Sequence, residues 1–180
     1  LFVVSIIVTD RTPPVISAPP LVVEATSASG TAVSSDQIFS SVTATDLVDS
    51  DVALRLIAQL PVNFPLGTTS VDLIAEDDAG NETSFELEVR VVDTQPPTLT
   101  TPDDLVLALE DDAAIAMGDP SILRWLAQVS AVDLVDGEVT VSHDLIDNLG
   151  PGITEVTFTA TDAAQNVSQV MLRIVVKQPP

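Results

Sequence analysis

No cysteine occurs in the 180 residues, which removes disulfide staples and thiolate metal sites together. It leaves secretion open. Tyrosine is also missing, tryptophan occurs once and aromatics make up only 3%, so any core has to be filled by Val, Ile, Leu and Ala. Basic residues number six against 27 acidic ones, Lys177 is the only lysine, and the net charge is −21. That balance excludes nucleic acid and anionic membrane surfaces as partners and favours cations, or neutral surfaces met at high salt. Apolar runs such as residues 105–109 are far too short to span a bilayer, so no direct membrane insertion is expected. Residues 1–8 lack a basic leader and a cleavage site, and are not read as a signal peptide. The numbering reads as starting inside a longer protein.

What the chain does have is repetition. Pro13-Pro14, Pro96-Pro97 and Pro179-Pro180 stand 83 residues apart. Ala44-Thr45-Asp46-Leu47-Val48-Asp49 returns as Ala131-Val132-Asp133-Leu134-Val135-Asp136. Ala75-Glu76-Asp77-Asp78-Ala79-Gly80-Asn81 returns as Ala160-Thr161-Asp162-Ala163-Ala164-Gln165-Asn166. A chain built in this way is an array of modules, which points to reach, adhesion or assembly before chemistry. The units are residues 11–93 and 94–180, preceded by a segment 1–10.

Period-two alternation of apolar and polar residues and a wealth of β-branched side chains predict an all-β fold. Strands are expected at residues 1–9, 15–26, 39–45, 52–60, 69–76 and 84–92, then at 98–109, 129–132, 138–143, 154–161 and 169–176. Short strands between Gly, Pro, Asp and Asn clusters read as tandem immunoglobulin-like β-sandwiches. Asp119-Pro120, an N-cap followed by proline at the first helical position, predicts a short helix inserted in the second unit. The matching stretch of the first, Asp36 to Phe39, has room for one turn. Trp125 on the inserted helix is read as a core plug. Residues 1–9 align with residues 84–92 and look like the last strand of a preceding repeat. Such a strand is not stable alone. It either pairs with upstream sequence, the reading favoured here, or is donated to a neighbouring molecule.

Phe64-Pro65-Leu66-Gly67-Thr68-Thr69-Ser70-Val71, the loop from Ala75 to Asn81, and Val92-Asp93 ahead of Pro96-Pro97 resemble the hyalin-repeat (HYR) domain and related bacterial immunoglobulin-like repeats. Leu149-Gly150-Pro151-Gly152-Ile153-Thr154-Glu155-Val156 and the loop from Ala160 to Asn166 form a weaker second copy. The resemblance implies an extracellular immunoglobulin-like module used in adhesion or as a spacer, without catalytic residues. Two departures stand out. Animal members usually carry a cysteine pair, so its absence favours a prokaryotic surface protein. Gln165 stands where the pattern has glycine, so a different turn is expected there.

In such a sandwich the incoming chain and two of the loops meet at one pole. That gathers Asp10, Asp46, Asp49, Asp51 and Asp77 in the first unit, with Asp78 and Asn81 close by. In the second it gathers Asp93, Asp133, Asp136, Glu138 and Asp162, with Asn166 close by. Carboxylates so crowded repel one another unless a hard cation intervenes, and Ca²⁺ takes about six to eight oxygens of this kind. One reading is an interdomain Ca²⁺ site that stiffens the proline junction, by analogy with cadherin-like arrays. The other is that these residues form turns and cap strand ends. At the third junction Val176 stands where Asp10 and Asp93 stood, so a domain beyond Pro180 is expected to lack this site or build it differently.

The remaining signals are weaker. Asn81-Glu82-Thr83 and Asn166-Val167-Ser168 have the form of glycosylation acceptors, at places where the turn itself calls for Asn. His143, the single histidine, is read as a solvated strand residue. Asp103-Asp104 and Asp111-Asp112 are read as solvated loop charges. No nucleophile–base pair or phosphate loop is present, and an enzyme is not expected. The expected function is an extender or adhesion segment at the cell surface, its partners being neighbouring repeats of the same chain or filament. The alternatives are a module that binds cell-surface glycan or protein, and a filament subunit that polymerises by donating residues 1–9.

Overall fold

A computed structural model describes residues 2–109 and 114–178. The chain divides into two compact units, Leu1–Asp93 and Thr94–Pro180. Asp111-Asp112 and Pro179-Pro180 lie outside the described residues.

In unit 1 the elements follow in the order β1 (Val15–Ser17), β2 (Leu21–Glu24), α1 (Ser35–Ser41), β3 (Thr43–Thr45), β4 (Ala53–Leu56), β5 (Gly67–Glu76) and β6 (Glu82–Val92). They make a four-stranded sheet, β2-β6-β5-β4, and a two-stranded one, β1-β3. Unit 2 continues with β7 (Thr98–Thr100), β8 (Leu105–Ala108), α2 (Pro120–Leu126), β9 (Ser130–Asp133), β10 (Gly137–Val139), β11 (Val141–His143), β12 (Gly152–Thr161) and β13 (Val167–Lys177). Its sheets are β11-β12-β13-β8 and β10-β9-β7. The fold is an all-β immunoglobulin-like sandwich in each unit. Alternation does the sorting: Val71, Leu73 and Ala75 on β5 and Leu87, Val89 and Val91 on β6 turn inward, as do Val156, Phe158 and Ala160 on β12. No helix among the described residues is long and apolar enough to cross a membrane.

The structure departs from the sequence reading in three places. The expected strand at 15–26 is two strands that belong to different sheets. β1 pairs antiparallel with β3, and β2 pairs in parallel with β6. The break falls at Pro19-Pro20, since proline brings no N–H to a ladder. Likewise 98–109 breaks around Pro102 into β7 and β8, and 138–143 breaks into β10 and β11. Second, the helix is not an insertion peculiar to unit 2. Residues 39–45 are not one strand, because α1 runs through Ser41 as a seven-residue helix as long as α2. Its cause is a capping box: Gln37 N–H donates to Ser34 Oγ at 3.2 Å while Gln37 Oε1 accepts from Ser34 N–H at 2.9 Å. Third, Asp104 is more than a loop charge, because its Oδ1 accepts the Arg173 N–H at 2.8 Å. Residues 2–9 take no strand pairing and Phe2, Val3, Val4, Ile6, Ile7 and Val8 are exposed, the partner expected for them being upstream sequence or a neighbouring molecule. Among the described residues no strand pairs with them.

Glycine is mandatory at one turn. Gly30 has φ +96°, and a Cβ there would meet the Phe64 carbonyl oxygen at 1.8 Å. The approach allows Thr31 and Phe64 to exchange backbone hydrogen bonds of 3.0 and 2.7 Å, which seals the floor of the core under the fully buried Phe64.

Trp125 is a core plug, as expected. It stands edge-on to Phe158 at 5.4 Å between ring centres, and its Nε1–H donates to the Asp103 carbonyl at 2.8 Å. Around them pack Ile122, Leu145, Leu149, Val156 and Ile174. Trp125→Ala is expected to cost unit 2 about 3–5 kcal/mol, the usual range for emptying such a site. Denaturant unfolding followed by far-UV circular dichroism checks this through the lowered midpoint of the unit 2 transition.

Candidate functional site: the acidic poles

The poles are built from loops that hold themselves by their own aspartates. Between β3 and β4, Asp46 Oδ1 accepts the N–H groups of Val48 and Asp49 at 2.8 and 3.1 Å. Asp133 Oδ1 repeats this in unit 2 with Val135 and Asp136, at 2.7 and 3.0 Å. Between β5 and β6, Asn81 gives its backbone N–H to Asp77 Oδ1 and its side-chain amide to Asp77 Oδ2, both at 2.7 Å. Asn166 does the same for Asp162, both at 2.8 Å. The same asparagine amides reach weakly toward the chain leading into each unit, at the Thr12 carbonyl (3.5 Å) and the Gln95 carbonyl (3.4 Å). The hydroxyls of Thr83 and Ser168 close the contact on the carbonyls of Pro14 and Pro97. At both acceptor-like sequences the Asn amide and the following hydroxyl are thus engaged within the fold.

Gln165 corrects one expectation. It takes φ 73°, close to the 82° of Gly80, and its N–H bonds the Asp162 carbonyl as Gly80 bonds Asp77. The turn is the same in both units, and glutamine accepts the left-handed strain. Gln165→Gly should therefore stabilise unit 2 by about 1 kcal/mol, and a raised melting temperature would show it.

In unit 1 this scaffold brings Asp10, Asp46, Asp49 and Asp77 together, with one oxygen of each within 4.8 Å of the others. Asp10 is held by accepting the Thr12 N–H on its Oδ1 at 2.9 Å. The second oxygens, Asp10 Oδ2 and Asp46 Oδ2, are each shielded from solvent to below 1 Å² and have no hydrogen-bond donor among the described residues. Asp78 sits alongside, its N–H reaching Asp49 Oδ2 at 3.3 Å. Asp51 is exposed and does not join the group.

In unit 2, Asp133 and Asp162 are both buried, with oxygens within 4.8 Å of each other. Asp136 does not join them, because its Oδ2 is drawn to the Ala163 N–H at 2.7 Å. Glu138 is exposed on β10, opposite Val132. Asp93 is the last residue of unit 1 and precedes Pro96-Pro97 at the same spacing as Asp10 precedes Pro13-Pro14.

Proton affinities follow these surroundings. Burial first, then the carboxylates of Asp78, Asp77 and Asp46, push Asp49 above the usual 3.8, against the N–H of Asp78. Burial alone would raise Asp77 too, but the Asn81 amide and backbone and the N–H groups of Ala79 and Gly80 hold it below 3.8. Asp133 is lowered first by the Asp136 N–H and further by those of Val135 and Leu134, against its burial. Sequence reasoning missed two more in unit 2. Asp144 is lowered chiefly by the Thr157 N–H at 2.7 Å. Asp147 is lowered chiefly by the Met117 N–H at 2.9 Å, then by that of Asn148. Asp144 follows the end of β11 and Asp147 lies in the loop beyond it, where only a preference for turns and caps could have marked them. His143 is exposed on β11, as expected.

A lowered carboxylate stabilises the fold above its unfolded value and loses that contribution as pH falls through its folded value. A raised one acts oppositely. Unit 2 carries three lowered groups, Asp133, Asp144 and Asp147, whereas in unit 1 the lowered Asp77 is opposed by the raised Asp49. Without divalent cations, lowering the pH from about 5 to below 3.8 should therefore weaken unit 2 more than unit 1. Amide hydrogen exchange resolves the two, and equal loss in both would contradict the assignment.

Residues 9–91 match the HYR domain. The chain is 30% identical to hyalin of the sea urchin Strongylocentrotus purpuratus, over 99% of its own length and 15% of that protein. It is 28% identical to the mouse sushi, von Willebrand factor type A, EGF and pentraxin domain-containing protein 1, over 67% of this chain and 3% of that one. It therefore spans only a small part of these relatives. Among solved structures, Drosophila N-cadherin EC1-4 aligns over 93% of this chain and 50% of its own at 16% identity, with a TM-score of 0.38, too low to bear on the argument. These relatives are animal proteins, and the prokaryotic origin expected from the missing cysteines finds no support among them. By its repeats, its sandwich fold and these matches, the chain belongs to the hyalin-repeat family, a family of adhesion-type domains and not of enzymes.

Proposed function

We propose that this chain is an extracellular, adhesion-type spacer segment whose acidic pole binds Ca²⁺ where the chain enters a repeat. Membership of the hyalin-repeat family supports the first half. The second half rests on one observation: two buried carboxylate oxygens, Asp10 Oδ2 and Asp46 Oδ2, have no donor, inside a group of four aspartates. An unpaired anionic oxygen shut away from water is costly, and a hard cation removes that cost without any rearrangement of the turns. The four residues fit the ion. Each turn uses one oxygen of Asp10 and Asp46 and leaves the other over.

Asp10 lies on the lead-in, whereas Asp46, Asp49 and Asp77 lie on loops of the sandwich. A cation held by all four would fasten the incoming chain to the domain and fix its direction. Prolines 13 and 14 already limit that freedom, and the ion would stiffen the junction further. Strands of about eight residues give a unit of roughly 26 Å along its strands, so repeats joined stiffly convert sequence into reach. The partners in this reading are neighbouring repeats and protein at the cell surface. With aromatics at 3%, sugar stacking has little to build on.

Thermal unfolding at fixed ionic strength, with millimolar Ca²⁺, with Mg²⁺ and with chelator, tests the cation. An ion that binds only the folded state adds about 2.7 kcal/mol per site at 100 times its dissociation constant, or roughly 11–22 °C in a domain of this size. Ca²⁺ should raise the transition, and Asp10→Asn should remove part of the gain. Identical curves in all three buffers would reduce the aspartates to turn formers.

A further inference from the structure

The two poles share one loop design but not one state of satisfaction. In unit 1, Asp49 joins Asp10, Asp46 and Asp77, and the protein offers its Oδ2 only a long 3.3 Å bond from the Asp78 N–H. Among the described residues, two buried oxygens beside it have no donor. In unit 2, the equivalent Asp136 is bound at 2.7 Å by the Ala163 N–H and stands apart from Asp133 and Asp162. Among the described residues, no buried oxygen of Asp133, Asp136 or Asp162 lacks a donor. The residue whose N–H makes this bond is Asp78 in the first loop and Ala163 in the second, a difference that removes one negative charge from the pole of unit 2.

We infer that the two poles are graded cation sites, the pole of unit 1 binding Ca²⁺ tightly and that of unit 2 weakly. This rests on the cation reading above and adds the order of filling. Affinity for a hard cation rises with the number of charged ligands already in place and falls where protein donors compete for them. Unit 1 has four carboxylates gathered and two oxygens waiting. Unit 2 has already spent Asp136 on its own loop. As Ca²⁺ rises, unit 1 fills first, and over an intermediate range only one of the two poles is occupied.

Isothermal titration of the whole 180-residue chain with Ca²⁺ reads this directly. Two steps are expected, the first tighter by about tenfold or more. Asp46→Asn should abolish the tight step and leave the weak one, whereas Asp133→Asn should spare the tight step. Both substitutions keep the Oδ1 acceptor that builds the turn, and circular dichroism verifies that each variant folds. Ala163→Asp should narrow the gap from the unit 2 side. Two steps of equal affinity, or loss of the tight step in Asp133→Asn, would overturn the grading while leaving the cation reading intact. No step at all would overturn both.

Discussion

A carboxylate that accepts the N–H groups of its own turn is the interaction on which both poles depend. Asp46 and Asp133 close the loop that follows β3 or β9, and Asp77 and Asp162 close the hairpin between the two long strands. These bonds need no ion and no partner. They hold the loops in shape, and the loops set where every other acid stands. Aspartate is the side chain that supplies these acceptors here, so the acidic groups are built into the turns themselves. Crowding of charge at the poles is thus a consequence of how the loops fold, and a cation would exploit it without having caused it.

Turn-forming and metal-binding readings of the sequence therefore do not compete oxygen for oxygen. A carboxylate has two oxygens. At Asp46 the turn takes Oδ1, while Oδ2 stays buried without a donor. No pattern in the sequence distinguishes the two oxygens of one residue. That is why the constellation of acids was legible from the repeat, while the subset that meets was not. Asp51 falls outside because it lies past the turn, and Asp136 because a neighbouring N–H draws it aside.

The fold was legible where periodicity is strong and long, as on the two hairpins β5–β6 and β12–β13, which pair over ten residues each. It was less so where short strands change sheets. Residues 15–26 read as one apolar stretch, and only Pro19-Pro20 marks the crossing. α1 hid behind β-branched neighbours, although Ser34 and Gln37 spell out its capping box. The family resemblance filled in the architecture that alternation alone leaves open. It also suggested a turn at Gln165 different from that at Gly80, and the backbone there keeps the shape instead of the residue.

One feature of the sheets bears on how such a segment behaves under tension. β2 runs parallel to β6 and β8 runs parallel to β13, so in each unit a strand from its beginning is laced alongside the strand that ends it. Pulling on the two ends drags these neighbours past each other in opposite directions. Their cross-strand bonds are then loaded together in shear and not opened one by one like a zipper. The short β1–β3 and β7–β9 pairs carry no such row and are free to yield sooner. Each repeat is in this way a link that resists stretching along the chain, whatever occupies its pole.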